Sequence, residues 1–119
     1  LVGLDVTLQT LYTPQDFEIL ADASRGVGGF LHRIAQFYLD FYREAAGLEG
    51  CGLHDSTAII ACTHPHLFDL YKAGVAVTLS GPEIGATRVN KGRPVIGICR
   101  DIDQDAVMSL FSERLYQLP

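Results

Sequence analysis

Gly50-Cys51-Gly52-Leu53-His54-Asp55, running on into Ser56-Thr57-Ala58-Ile59-Ile60-Ala61-Cys62-Thr63-His64-Pro65, is the stretch on which the reading of this chain turns. Two glycines make a turn-rich approach to a helix, and Asp55 or Ser56 suits its N-cap. The helix runs through Ala58, Ile59, Ile60 and Ala61 and stops near Thr63, because Pro65 disfavours helical backbone at the residue before it. A histidine beside an aspartate at the mouth of such a turn has two readings. In the structural one, Asp55 caps the helix and His54 packs or faces solvent. In the functional one, the turn aims both side chains into one cleft, where Asp55 offers a hard oxygen to a cation and His54 a proton near neutral pH.

Upstream lies the strongest helix signal in the chain, from about Gly29 to Ala46. Phe30, Ile34, Phe37, Phe41 and Ala45 recur at three- and four-residue steps and make one apolar stripe. Tyr38 and Tyr42 fall together on its flank, one turn apart. Either they are amphipathic rings at the edge of a core, or their rings and hydroxyls face a flat ligand. Gly47 and Gly50 end the helix. Before it, Thr13-Pro14-Gln15-Asp16 starts another helix reaching about Ala23: a good N-cap, proline at the first helical position, and an acid where the dipole favours it. Leu1 to Thr7 reads as an opening strand. Downstream, Ala73 to Leu79, Ala86 to Val89 and Val95 to Cys99 read as the strands of a short β-meander. A final helix follows, with a stripe of Ala106, Val107, Leu110, Phe111 and Leu115. This order predicts an α/β fold: an opening strand, a long amphipathic helix, a short meander and a last helix.

Length and charge narrow the function. At 119 residues the chain has room for one small domain. No apolar run approaches the roughly 18 residues of a membrane helix, and no signal peptide is visible. With a net charge of −5 and nine scattered basic residues, it lacks the basic patch that nucleic-acid binding requires. Three irregularly spaced cysteines, Cys51, Cys62 and Cys99, suit free buried thiols and a reducing cytoplasm. No Met opens the chain, which begins directly in the apolar run Leu1-Val2-Gly3-Leu4, so the start reads as the middle of something longer.

Other chemistry is thin. Cys62, His64 and His66 lie within five residues and suggest zinc, but a structural zinc site takes four ligands at recognisable spacing. Gly26-Val27-Gly28-Gly29 precedes a helix without the spacing of a phosphate loop, and no GxSxG nucleophile elbow occurs.

Taken in order, these segments resemble one family, the inosine-uridine preferring nucleoside hydrolases, in its C-terminal part. Val2-Gly3-Leu4-Asp5-Val6-Thr7 is similar to the strand opening that part, and Thr13-Pro14-Gln15-Asp16 to the helix start after it. Phe37-Tyr38-Leu39-Asp40-Phe41-Tyr42 resembles the long helix bearing active-site aromatics. Gly50 to Asp55 resembles the G-C-x-x-H-D segment, and His64-Pro65-His66-Leu67-Phe68 the turn behind it. The resemblance implies hydrolysis of the N-glycosidic bond of ribonucleosides to free base and ribose. It implies a Ca²⁺ cofactor with Asp55 as one carboxylate ligand, His54 beside the leaving base as proton donor, and Tyr38 and Tyr42 lining the base pocket or supporting proton transfer. It also implies a nucleoside substrate and a homo-oligomer or a missing N-terminal part as partner. Ser56 and Leu8 depart from the family's usual residues. The aspartate-rich DxDxGxDD motif that supplies most calcium ligands does not occur in this sequence, so the isolated chain is expected to be inactive. A different class of reading makes it a non-catalytic remnant whose apolar faces serve as an interaction module.

Overall fold

The computed structural model describes residues 1–118, and its elements begin where local chemistry dictates. Helix α1 spans Leu4–Thr7, a two-residue strand β1 spans Leu11–Tyr12, and α2 (Pro14–Ala23) and the long α3 (Val27–Ala46) follow. Strand β2 (Cys51–Gly52) pairs antiparallel with β1 and leads into α4 (His54–Thr63). A 3₁₀ turn over Pro65–Leu67 precedes β3 (Phe68–Val77), β4 (Thr87–Val89), β5 (Val95–Ile102) and α5 (Gln104–Tyr116).

Helix α2 starts with a reciprocal capping box. The Asp16 backbone N–H donates to Thr13 Oγ1 at 3.2 Å, and the Thr13 N–H donates to Asp16 Oδ2 at 2.8 Å. Helix α3 closes on Gly47 in the left-handed region at φ 65°, which costs glycine nothing. Asp103 caps α5 by accepting from the Ala106 N–H at 3.1 Å.

The opening strand expected over Leu1 to Thr7 is corrected. Only Leu1 extends along β5: its amino group donates to the Gly97 carbonyl at 2.7 Å, and its own carbonyl accepts from the Cys99 N–H at 2.9 Å. The chain then winds into α1, where the Gly3 carbonyl accepts from Val6 and Thr7. That turn buries two consecutive side chains, Val6 and Thr7. An alternating strand cannot do this.

The sheet also differs from a meander. The strand order is β4-β3-β5, with both neighbours antiparallel to the central β3. Residues 90–94 carry the chain from one edge of β3 to the other over Gly74, whose carbonyl accepts from the Asn90 N–H at 2.8 Å. A Cβ on Gly74 would overlap the carbonyl oxygens of Asn90 and Arg93.

Two apolar clusters form the core. One joins Tyr12, Phe17, Leu20, Ala35, Leu39 and Cys51; the other joins Val6, Ile60, Phe68, Cys99 and Val107. Phe111 of α5 packs against both. The stripe expected to be α3's core face is corrected too. Phe30, Ile34, Phe37, Phe41 and Ala45 are all exposed, Phe37 by 82%. The face turned inward is Gly28, Ala35 and Leu39, flanked by Leu31 and Tyr42. Cys62 is likewise exposed, whereas Cys51 and Cys99 are buried free thiols. The molecule measures 50 × 33 × 18 Å with a radius of gyration of 16.3 Å, above the roughly 13.5 Å of a compact domain this long. Among the described residues, no helix is long and apolar enough to cross a membrane.

Helices α2 and α3 meet where Gly28 lies against the Leu20 carbonyl, and a Cβ at Gly28 would overlap that oxygen. Gly28→Ala is therefore expected to lower stability by about 1–3 kcal/mol through overpacking. Gly29→Ala, whose Cβ meets only the end of the Arg33 side chain at 3.7 Å, should be neutral or stabilising by up to about 1 kcal/mol. Urea denaturation of the two variants checks the contrast; equal losses would contradict it.

Candidate active site

The β1–β2 pair sets the entry to α4. The Leu53 N–H donates to the Thr10 carbonyl at 3.0 Å, fixing the chain one residue before His54. Leu53 is the N-cap of α4 and supplies no side-chain cap. The expected capping role of Asp55 or Ser56 is thus corrected. Asp55 sits in the first helical turn with its carboxylate exposed, where the helix dipole favours negative charge.

His54 is held at both ring nitrogens. Its Nδ1 lies 2.6 Å from the Thr7 hydroxyl of α1, and its Nε2 lies 2.6 Å from the Tyr42 hydroxyl of α3. Tyr38, one turn earlier on α3, donates its hydroxyl proton to Tyr42 at 3.3 Å, and the two phenol rings meet edge to face at 4.9 Å. Three elements thus contribute to one line of hydrogen bonds, Tyr38–Tyr42–His54–Thr7. Donating to Tyr42, with some desolvation added, pushes the Tyr38 phenol up to about 12. Below that it remains a proton donor.

A cleft of about 500 Å³ opens beside this line. Tyr38, His54, Asp55 and Ser56 are its polar lining; Phe17, Leu31, Ala35 and Phe111 contribute to its apolar lining. The structure therefore brings Tyr38, His54 and Asp55 to one cleft, with Tyr42 joined to it through hydrogen bonds to His54 and Tyr38. Cys51 also lines the cleft, and burial pushes its thiol up, away from the reactive thiolate. Gly52 is a steric requirement of the ring: a Cβ there would lie 2.6–2.7 Å from His54 Cε1 and Nε2.

Thr7 is the member that sequence reasoning missed. It lies 47 residues before His54, and no spacing rule links a hydroxyl to an imidazole at that distance. The zinc reading is corrected. Among the described residues no three His, Cys, Asp or Glu side chains are grouped to hold a metal ion. His64 Nδ1 instead lies 2.9 Å from Thr63 Oγ1.

The Tyr38 phenol should return toward the ordinary value near 10 in Tyr42→Phe, which removes its acceptor. Ring-carbon NMR titration of Tyr38 from pH 9 to 13 reads this directly; an unmoved midpoint would contradict the hydrogen bond. Because the folded-state value is the raised one, Tyr38's contribution to stability is complete below about pH 10 and is lost as pH climbs through about 12.

Comparison with known proteins bears on the family and the fold. The chain is 33% identical over 91 residues to a probable uridine nucleosidase 1 of Oryza sativa subsp. japonica, covering 76% of this chain and 28% of that protein. It is 30% identical to a probable uridine nucleosidase 2 of Arabidopsis thaliana, covering 98% of this chain and 40% of that one. Among solved structures, a plant nucleoside hydrolase superposes with a TM-score of 0.89 at 27% identity, over 98% of this chain and 40% of its own. A purine-preferring ribonucleoside hydrolase from Gardnerella vaginalis superposes with a TM-score of 0.84 at 32% identity, over 97% of this chain and 38% of its own. The chain thus spans two-fifths or less of the length of these relatives. With the profile of the inosine-uridine preferring nucleoside hydrolases matching residues 1–109, the chain belongs to that family.

Proposed function

We propose that this segment supplies the leaving-base side of a ribonucleoside hydrolase reaction centre. His54 and its two phenols handle the proton, Tyr38 lines the base pocket, and Asp55 contributes one carboxylate to a calcium site that the rest of a complete enzyme would furnish. The observation that carries this reading is the unbroken hydrogen-bonded line from His54 through Tyr42 to Tyr38, ending at the cleft that Asp55 also lines.

The chemistry follows from what the bond demands. When the C1′–N bond breaks, its electron pair stays on the base, which leaves as an anion unless a nitrogen takes up a proton. The ribose carbon gains oxocarbenium character, and an oxygen from water then bonds to it. Both nitrogens of His54 are engaged at 2.6 Å, so a proton reaches the base through a phenol. When the Tyr38 hydroxyl turns from Tyr42 to the base, its proton is replaced from Tyr42, and that of Tyr42 from a protonated His54. Tyr38 suits the last position because it is the phenol of this line that borders the cleft. The apolar part of the lining, Phe17, Leu31, Ala35 and Phe111, suits a flat ring.

Asp55 fits a hard cation, since its carboxylate is exposed at the cleft and not consumed by capping. Calcium takes six to eight oxygens, and among the described residues no other carboxylate lines this cleft. When bound, the ion would supply a Lewis-acid hold on the ribose hydroxyls and the attacking water.

The purified 119-residue chain with added calcium should release no base from inosine or uridine; steady release would overturn the incomplete-site reading. In a full-length family enzyme carrying this segment, His54→Ala should lower kcat by about 10²–10⁴-fold while leaving calcium affinity near its original value. Asp55→Ala should weaken calcium binding in isothermal titration, and unchanged affinity would remove it from the ligand set.

The uncovered stripe of α3 supports a second reading, an interaction module. Phe30, Ile34, Phe37 and Phe41 are each more than half exposed along one helix face, an arrangement common at interaction surfaces. Sedimentation velocity separates the readings: a monomer that stays soluble at high concentration argues against the module.

A further inference from the structure

We infer that Thr7 is a positioning residue that fixes the tautomer of His54. The inference takes its functional meaning from the proton-handling role proposed above, yet its test does not depend on catalysis.

The argument follows the donors along the line. Tyr38 donates its proton to the Tyr42 oxygen. The proton of Tyr42 then has His54 Nε2, 2.6 Å away, as its acceptor. A neutral imidazole carries one N–H, so an accepting Nε2 places the hydrogen on Nδ1. That N–H points at Thr7 Oγ1, also at 2.6 Å. The Thr7 hydroxyl oxygen is therefore the acceptor that makes the Nδ1–H form the favoured one.

The surroundings of Thr7 hold it in place beside the ring. Thr7 is 97% buried, and the side chains of Thr10 and Thr57 are buried with it. Thr10 Oγ1 donates to the Thr7 carbonyl at 2.8 Å and lies 2.9 Å from Thr57 Oγ1. Thr10 is also the residue whose carbonyl accepts from the Leu53 N–H at the start of α4. One buried network thus places both the helix bearing His54 and the oxygen facing its Nδ1. Losing that oxygen leaves a donor facing an apolar wall, at the cost of an unsatisfied buried polar group. The ring escapes by moving its hydrogen to Nε2, which reverses the direction of donation along Tyr42 and Tyr38.

Long-range hydrogen–nitrogen correlation NMR of the neutral His54 ring separates the two tautomers. The wild-type chain should show predominantly Nδ1–H. Thr7→Val, similar in shape but without the oxygen, should shift the ring to predominantly Nε2–H. Thr7→Ser should restore the wild-type pattern, and Thr57→Val, which alters the buried network without touching the ring, should keep it. Predominant Nε2–H in the wild-type chain would overturn the inference whatever the variants do. So would an unchanged pattern in Thr7→Val, or an equal shift in Thr57→Val. Failure of the hydrolase reading would instead appear as full turnover in His54→Ala with the tautomer result intact.

Discussion

One imidazole ring ties the fold together at its functional end. His54 takes a hydroxyl from α1 on one nitrogen and a phenol from α3 on the other, while its own backbone opens α4. None of these elements is adjacent to another in sequence, and each is held by other means before it reaches the ring. Helix α1 is tied in by the burial of Val6 and Thr7, α3 by its close approach to α2 at Gly28, and α4 by the Leu53–Thr10 backbone bond. Among the described residues no buried side-chain nitrogen or oxygen lacks a partner. In such a network a displaced member leaves its neighbour unsatisfied at about 1–3 kcal/mol, so the ring's orientation follows from hydrogen bonding as much as from packing.

The cleft inherits its two-sided character from the core beneath it. Phe17, Ala35 and Cys51 belong to the first apolar cluster and also line the cleft. Phe111 reaches the same cleft from α5 while packing against the second cluster. The last helix thus joins both clusters and finishes the apolar lining, whereas the polar members come from α3 and the start of α4. A core that surfaces as one wall of a cleft gives an apolar seat with few directional groups around it, as small-molecule sites generally have.

The boundaries set by local rules were legible. Thr13, Pro14 and Asp16 announced α2, Pro65 ended α4, and Gly47 closed α3, because caps and breakers act through neighbouring residues. The alternatives for His54 and Asp55 could also be posed from sequence, and both side chains reach one cleft with Tyr38. What failed was everything that depends on what lies across from an element. The stripe of Phe30, Ile34, Phe37 and Phe41 has the right period, but α3 carries a second, subtler apolar face of small and branched residues, Gly28, Leu31, Ala35 and Leu39, and that one is covered. Periodicity reports that a face exists, not which face finds a partner. The opening residues had strand-like composition, yet the Gly3 carbonyl closes a helical turn. The side switch at Gly74 depends on a carbonyl pair 16–19 residues away in sequence.

The uneven state of the three cysteines has a practical side. Burial pushes the thiols of Cys51 and Cys99 up, so both resist forming thiolate, while Cys62 stands exposed on α4. A maleimide at neutral pH has one fast target in this molecule, on the helix that bears His54 at its other end, about 12 Å along the axis. A fluorophore attached there would report movement of α4 while leaving the cleft unlabelled.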